Sequence, residues 1–125
     1  MRLLIDTHTL IWAMDDPTML SGPSTMALQD PANDLLLSAA TVWELAIKQG
    51  LGKLRIDADL PAEIDRAGFS GLPVTMEDGN AAGALPPHHK DPFDRMLVAQ
   101  ALRLDALIVT RDRAFAAYDV KVITA

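Results

Sequence analysis

Short apolar runs alternate with longer segments of mixed character along this chain, and the spacing inside each segment predicts its element. Leu3-Leu4-Ile5 is a compact apolar run ending at Asp6, the pattern of a strand buried on both faces. Thr9 to Met14 reads as a short helix stopped by Asp15-Asp16-Pro17, and Pro23 to Gln29 as a second. After the turn signals of Asp30 to Asp34, Leu35-Leu36-Leu37 is another buried strand. Ser38 is placed to cap a helix running from Ala39 to about Gln49 and closed by Gly50. Pro61 to Ala67, ended by Gly68, and Glu77 to Leu85 read as further helices, with a short strand at Leu72-Pro73-Val74 between them. Asp91-Pro92 is the clearest helix start, a cap followed by proline in the first turn, and its helix runs to about Leu104. Ala106 to Thr110 and Val120 to Ile123 are strands, joined by a short helix at Arg113 to Tyr118.

Strands alternating with helices imply an α/β fold around a mostly parallel sheet of four to five strands. Neither a repeat nor a Gly/Ser/Pro-rich linker divides the 125 residues, so one domain over residues 1–125 is expected. Half the residues are apolar, enough for a continuous core at this length. No cysteine is present, which excludes disulfides, thiolate metal sites and cysteine nucleophiles. The opening apolar run is too short for a signal-peptide core, and no run is long enough to span a bilayer. A cytoplasmic protein with no membrane partner is the expectation. The net charge of −6 is unfavourable to a nucleic-acid binder unless cations neutralise part of it.

Where the acids fall changes that picture. Ligands of open parallel sheets bind beyond the carboxyl ends of the strands. Asp6 follows the first strand, Asp112 follows the strand at Ala106 to Thr110, Asp94 lies in the first turn of its helix, and Glu44 lies about one and a half turns into its own. Right-handed crossovers bring these four carboxylates to one rim of the sheet. Two like charges about 5 Å apart repel by roughly 3 kcal/mol at an effective dielectric near 20. A marginally stable domain tolerates several such pairs only if protons or cations neutralise them. An all-oxygen set suits Mg²⁺ or Mn²⁺, which also accept phosphate oxygens. Each acid taken singly has a structural account: Asp91 and Asp94 start a helix, Asp112 caps the next, and Asp6 occupies a turn. The coincidence of four acids with four rim positions is what favours a site, with Asp91 assigned mainly to capping.

Read together, Asp6-Thr7-His8, Ser38 to Glu44 with Lys48, His89 to Leu97 and Val109-Thr110-Arg111-Asp112 resemble the PIN-domain nucleases, and among them the VapC-type toxins of bacterial toxin–antitoxin pairs. The resemblance runs through essentially the whole chain, its most specific part being Asp91 to Gln100. It implies a three-layer α/β/α fold and Mg²⁺ or Mn²⁺ held by Asp6, Glu44, Asp94 and Asp112. It further implies endonucleolytic cleavage of RNA, a homodimer, and a VapB-like antitoxin whose C-terminal segment covers the site. Thr7 and Thr110 match positions that support the acids.

Lys48 lies on the helix face of Glu44, and Lys90, Arg95, Arg111 and Arg113 flank the C-terminal acids. Phosphate contact and a surface ion-pair network are equally good accounts of Lys48 and Arg95. His8, at a helix start, is expected to bond locally, and His88 and His89, in a Pro-Pro loop, are not expected to be metal ligands. Trp12, Trp43, Met14, Met19, Met26 and the run Leu97-Val98-Ala99 with Ala101-Leu102 are expected in the core. Three rival readings are a receiver-like switch, an aspartyl phosphatase and a binding module without catalysis. The receiver would want a second acid beside Asp6 and an Asp where the middle strand ends in Leu37-Ser38; the phosphatase would want an acid at position 8, which is His.

Overall fold

The computed structural model describes residues 1–55 and 59–125 of the chain. Five strands form one sheet: β1 (Arg2–Ile5), β2 (Asp34–Ser38), β3 (Ser70–Leu72), β4 (Leu107–Thr110) and β5 (Lys121–Thr124). Their order is β3-β2-β1-β4-β5 and every pairing is parallel. Among the described residues six α-helices connect them: α1 (Thr7–Asp15), α2 (Gly22–Gln29), α3 (Ala39–Gly50), α4 (Leu60–Arg66), α5 (Met76–Ala84) and α6 (Pro92–Leu104). Single 3₁₀ turns occupy Pro17–Met19 and Arg113–Ala117.

The period-2 alternation of the strands decides the layering. Leu3, Ile5, Leu37 and Val109 point to one face, where they join Leu10 of α1, Leu45 of α3 and Ile64 of α4. Leu4 and Ile108 point to the other, against Leu97, Val98 and Ala101 of α6 and Phe115. Two apolar clusters thus sandwich a sheet whose central strands are buried on both sides, giving three α/β/α layers. Among the described residues no helix is long and apolar enough to cross a membrane.

Several elements begin or end where their chemistry dictates rather than where apolar pattern alone suggests. α1 starts two residues early because the Asp6 side chain accepts from Thr9 N at 2.9 Å and caps it. α3 continues through Gly50 and is closed by Gly52, whose φ of 73° lets Lys53 N reach Lys48 O at 2.9 Å. Gly68, at φ 87°, closes α4 in the same way, with Phe69 N on Ile64 O. The third strand lies at Ser70–Leu72 and not at Leu72-Pro73-Val74, because Pro73 has no N–H to give to a ladder.

Burial corrects part of the expected core. Leu97, Val98, Ala99 and Ala101 are buried, but Leu102 is exposed. Met14, Met19 and Met26 are also exposed and contribute little to packing. Trp12 is half-buried against the first cluster, whereas Trp43 is 64% exposed, on the outer side of α3. Their apolar chemistry was the same; which side of a short helix each faces was not readable from it.

Candidate metal centre

β1 lies at the middle of the sheet, with β2 on one side and β4 on the other, so the strand order reverses above its carboxyl end. Asp6 stands at that point, 5% exposed. Its two oxygens are held separately: Oδ1 accepts from Thr9 N at 2.9 Å and Oδ2 from Thr110 Oγ1 at 2.5 Å, at the end of neighbouring β4. Thr9 Oγ1 in turn donates to Val109 O at 3.1 Å, so the turn after β1 is tied to β4.

Glu44 reaches the same rim from α3 and is 8% exposed. The Thr7 hydroxyl donates to its Oε1, and Lys48, one turn on, pairs with its Oε2 at 3.0 Å. Ser38 caps α3 through Ala40 N, so Thr41 and Glu44 are not the capping pair that their spacing resembles.

Asp94 comes from the first turn of α6, whose cap is Asp91: Asp91 Oδ1 accepts from Phe93 N at 2.8 Å and from Asp94 N at 3.3 Å. Burial pushes the Asp94 carboxyl up from 3.8 to about 7, helped by the charges of Asp91, Asp6 and Glu44 and opposed by His89. The charges of Asp6 and Glu44 therefore bear on Asp94, whose carboxyl is destabilised as an anion. Asp112 is set differently. It caps the 3₁₀ turn through Ala114 N at 2.9 Å, and that bond, together with His89 and the charge of His8, holds its carboxyl below the usual range.

His89 links the two C-terminal acids. Its Nε2 lies 2.9 Å from Asp94 Oδ2 and 3.0 Å from Asp112 Oδ2. Its Nδ1 accepts from Asp91 N at 3.2 Å, which in the neutral ring leaves the proton on Nε2, pointing between the carboxylates. Among the described residues, donor atoms of His89, Asp94 and Asp112 lie within 4.8 Å of one another, a spacing able to surround one cation in place of the Nε2 proton. The loop is fixed from behind by Tyr118, whose hydroxyl accepts from His89 N at 3.0 Å and donates to Pro86 O at 2.7 Å. Asp112 also borders a cleft of about 500 Å³ shared with Thr110, Arg111 and Arg113.

The donor chemistry fits a hard divalent cation: mostly carboxylate oxygens, with one carboxyl destabilised as an anion and no Lys or Arg bonded to it among the described residues. Two of the flanking cations, Arg95 and Arg111, are otherwise engaged. Arg95 spends its guanidinium on carbonyls at the end of α5 and in the following loop, from Ala82 and Leu85 at 2.9 Å to His89 at 3.3 Å. It closes the C-terminal end of α5, where a cation complements the helix dipole, and does not face the acids' rim. Arg111 bonds Ala125 O and Met19 O and lies 4.2 Å above the Trp12 ring.

The sequence matches the family profile of the PIN domain over residues 3–121. The chain belongs to the PIN domain family. Solved structures of similar fold include VapBC2 from Rickettsia felis bound to a DNA fragment from its promoter, with a TM-score of 0.73, 14% identity and 98% of each chain covered. A toxin–antitoxin complex from Klebsiella pneumoniae gives 0.66 at 19% identity, covering 98% of this chain and 96% of that one. VapBC-1 from nontypeable Haemophilus influenzae gives 0.70 at 20% identity, covering 98% and 97%. No curated protein matches the sequence.

Of the residues singled out from the sequence, Asp6, Glu44, Asp94 and Asp112 stand on one rim of this PIN domain, with Thr7, Lys48 and Thr110 bonded to them and Asp91 capping α6. Arg95 is turned to carbonyls instead. His89 is the residue that sequence reasoning set aside as a ligand, yet its ring lies against both C-terminal acids. The one signal for it was its distance of two residues from the capping Asp91, which turns the imidazole over the start of α6.

Proposed function

We propose that this PIN domain is a divalent-metal-dependent endoribonuclease, the toxin of a toxin–antitoxin pair of the VapC type. The observation that carries the reading is Asp94: a half-buried carboxyl in the field of Asp6 and Glu44, pushed up to about 7, with no Lys or Arg bonded to it among the described residues. PIN domains are generally nucleases, which supports phosphodiester hydrolysis as the chemistry. Asp6, Glu44, Asp94 and Asp112 would hold Mg²⁺ or Mn²⁺. When bound, such an ion stabilises charge on the phosphate and leaving oxygen and lowers the pKa of water.

The chain's own residues have positioning roles. Thr110 and Thr9 fix the two oxygens of Asp6, and Thr7 and Lys48 fix those of Glu44, so both carboxylates are oriented before substrate arrives. His89 Nε2–H lowers the repulsion between Asp94 and Asp112. No side-chain nucleophile is required, in keeping with a chain that lacks cysteine.

The partners follow from the same reading. RNA is the substrate, a VapB-like antitoxin neutralises the enzyme, the chain pairs as a homodimer, and it works in the cytoplasm. Support for the antitoxin comes from the neighbouring structures, one of which is a toxin–antitoxin complex. The test is cleavage of a mixed RNA panel by the purified chain in Mg²⁺ or Mn²⁺ against EDTA, beside Asp94→Asn. Metal-dependent cutting that the variant loses is expected. A folded chain that cuts nothing in any metal, or an Asp94→Asn variant that cuts at the wild-type rate, would overturn the reading.

A further inference from the structure

Among the described residues Lys90 and Arg113 make no hydrogen bond or ion pair, and both are exposed. Each directly follows a residue of the metal centre, Lys90 after His89 and Arg113 after Asp112. Of the two, Arg113 lines the cleft of about 500 Å³ that opens at Asp112. Ala116 of the 3₁₀ turn and Val122 and Thr124 of edge strand β5 lie on its other sides. Pockets for small ligands span roughly 300–1,000 Å³, so the cleft is large enough for one nucleotide unit. It carries two guanidiniums against one acid, and that acid turns toward the centre, with Asp112 Oδ2 3.0 Å from His89 Nε2. Arg111 supplies a fixed charge, its guanidinium tied to Ala125 O and Met19 O. Arg113 supplies a charge whose donors are unspent among the described residues. Resting on the nuclease reading above, we propose that Arg113 binds the RNA phosphate next to the scissile one, with the nucleotide between them lying in this cleft.

The fold gives Arg113 no structural task there. The first turn of a helix favours acids, so a cation gains nothing from the 3₁₀ turn it opens. Arg66 and Arg103 each have an acid partner, in Glu63 and Asp78, and Arg113 has none among the described residues. The chain carries −6 overall, and its acids gather where a polyanion must come closest. An unpaired guanidinium beside them offsets that repulsion at the point of contact, and its planar fork matches two oxygens of one phosphate. The rival occupant is an acidic protein segment, which would use the same fork but would not depend on the spacing of a phosphodiester backbone.

The test maps the cut in a short single-stranded RNA with the wild-type chain in Mn²⁺, then follows single-turnover cleavage against chain concentration. Arg113→Gln is expected to raise the half-saturating concentration about 10-fold, and Arg113→Lys to recover part of that loss. Lys121→Gln, which removes the same charge from the other end of β5, should match the wild type. One phosphate contact fewer should also make the plot of log affinity against log salt shallower by about 0.7 in Arg113→Gln. A neutral methylphosphonate immediately 5′ or 3′ of the scissile linkage should abolish the Arg113→Gln effect at one of the two positions. Equal half-saturation in Arg113→Gln and wild type overturns the proposal and leaves the fork to an acidic protein segment. An Arg113→Gln loss that survives both neutral linkages, or is matched by Lys121→Gln, overturns it in favour of overall charge. In those cases the wild-type chain still cuts RNA and the nuclease reading stands. A chain that cuts no RNA in any metal removes both.

Discussion

A buried carboxylate, Asp78, and a half-buried one, Asp94, lie on helices that pack together, yet they are treated in opposite ways. Asp78 is 1% exposed at the start of α5 and fully served: it completes a capping box with Thr75 and takes two bonds from Arg103, at 2.6 and 3.0 Å. The Arg103 guanidinium, with Thr75, holds its carboxyl below the usual range. Asp94, at the start of α6, is met by the charges of Asp91, Asp6 and Glu44 and by the single N–H of His89, and its carboxyl is pushed up to about 7. The first acid has a built-in cation and serves the fold. Among the described residues the second has none, and the fold bears that deficit at the rim where strand order reverses.

Removing each acid should separate these roles. Asp94→Asn is expected to cut RNA at least about 100-fold more slowly than wild type in a single-turnover assay, since loss of even an outer-shell partner of a metal ligand costs 10- to 100-fold. Asp78→Ala should act on stability instead. Loss of its capping bonds costs about 1–2 kcal/mol, seen as a melting temperature lower by several degrees in a thermal scan. In the same scan without metal at pH 8, Asp94→Asn should melt about 3–6 °C above wild type, because a crowded charge has gone. A lower value would show that the rim acids do not burden one another.

The pH dependence sharpens the contrast because the signs differ. Asp94, raised in the fold, contributes stability that is complete below its ordinary value of 3.8 and is lost as pH rises through about 7. Asp78, lowered in the fold, contributes stability present above 3.8 and lost as pH falls through its folded value. Metal-free melting curves from pH 5 to 8.5 should therefore fall for wild type and flatten for Asp94→Asn, and Mn²⁺ should restore more stability at pH 8 than at pH 6. The smallest effect concerns Arg95. Because its guanidinium closes α5, Arg95→Ala should lower the melting temperature by a few degrees while leaving the salt dependence of RNA binding unchanged.

The layering of the fold was legible because two-sided burial writes itself as apolar runs: Leu3 to Ile5, Leu35 to Leu37 and Leu107 to Val109 each end where a strand ends or nearly so. The start of α6 was equally plain, since Asp91-Pro92 carries both a cap and a fixed φ. β3 was shifted because Ser70 and Gly71 have no strand signature and are recruited by pairing with Leu36 and Leu37. Local chemistry placed Asp6, Glu44, Asp94 and Asp112 on the rim. It could not place His89, whose position depends on Tyr118 from 29 residues away. Nor could it show that Arg95 reaches back to α5 or that Trp43 faces out, both set by tertiary packing.

Manganese binding tests the central contrast most directly. An isotherm of Mn²⁺ binding to the purified chain at pH 7.5, followed by the loss of the free-ion electron paramagnetic resonance signal, should show wild-type and Asp78→Asn chains taking up the ion alike. Asp94→Asn should bind at least about 10-fold more weakly. Equal affinity in wild type and Asp94→Asn would contradict the account, because the acid without a cation would then not be the one that awaits a metal.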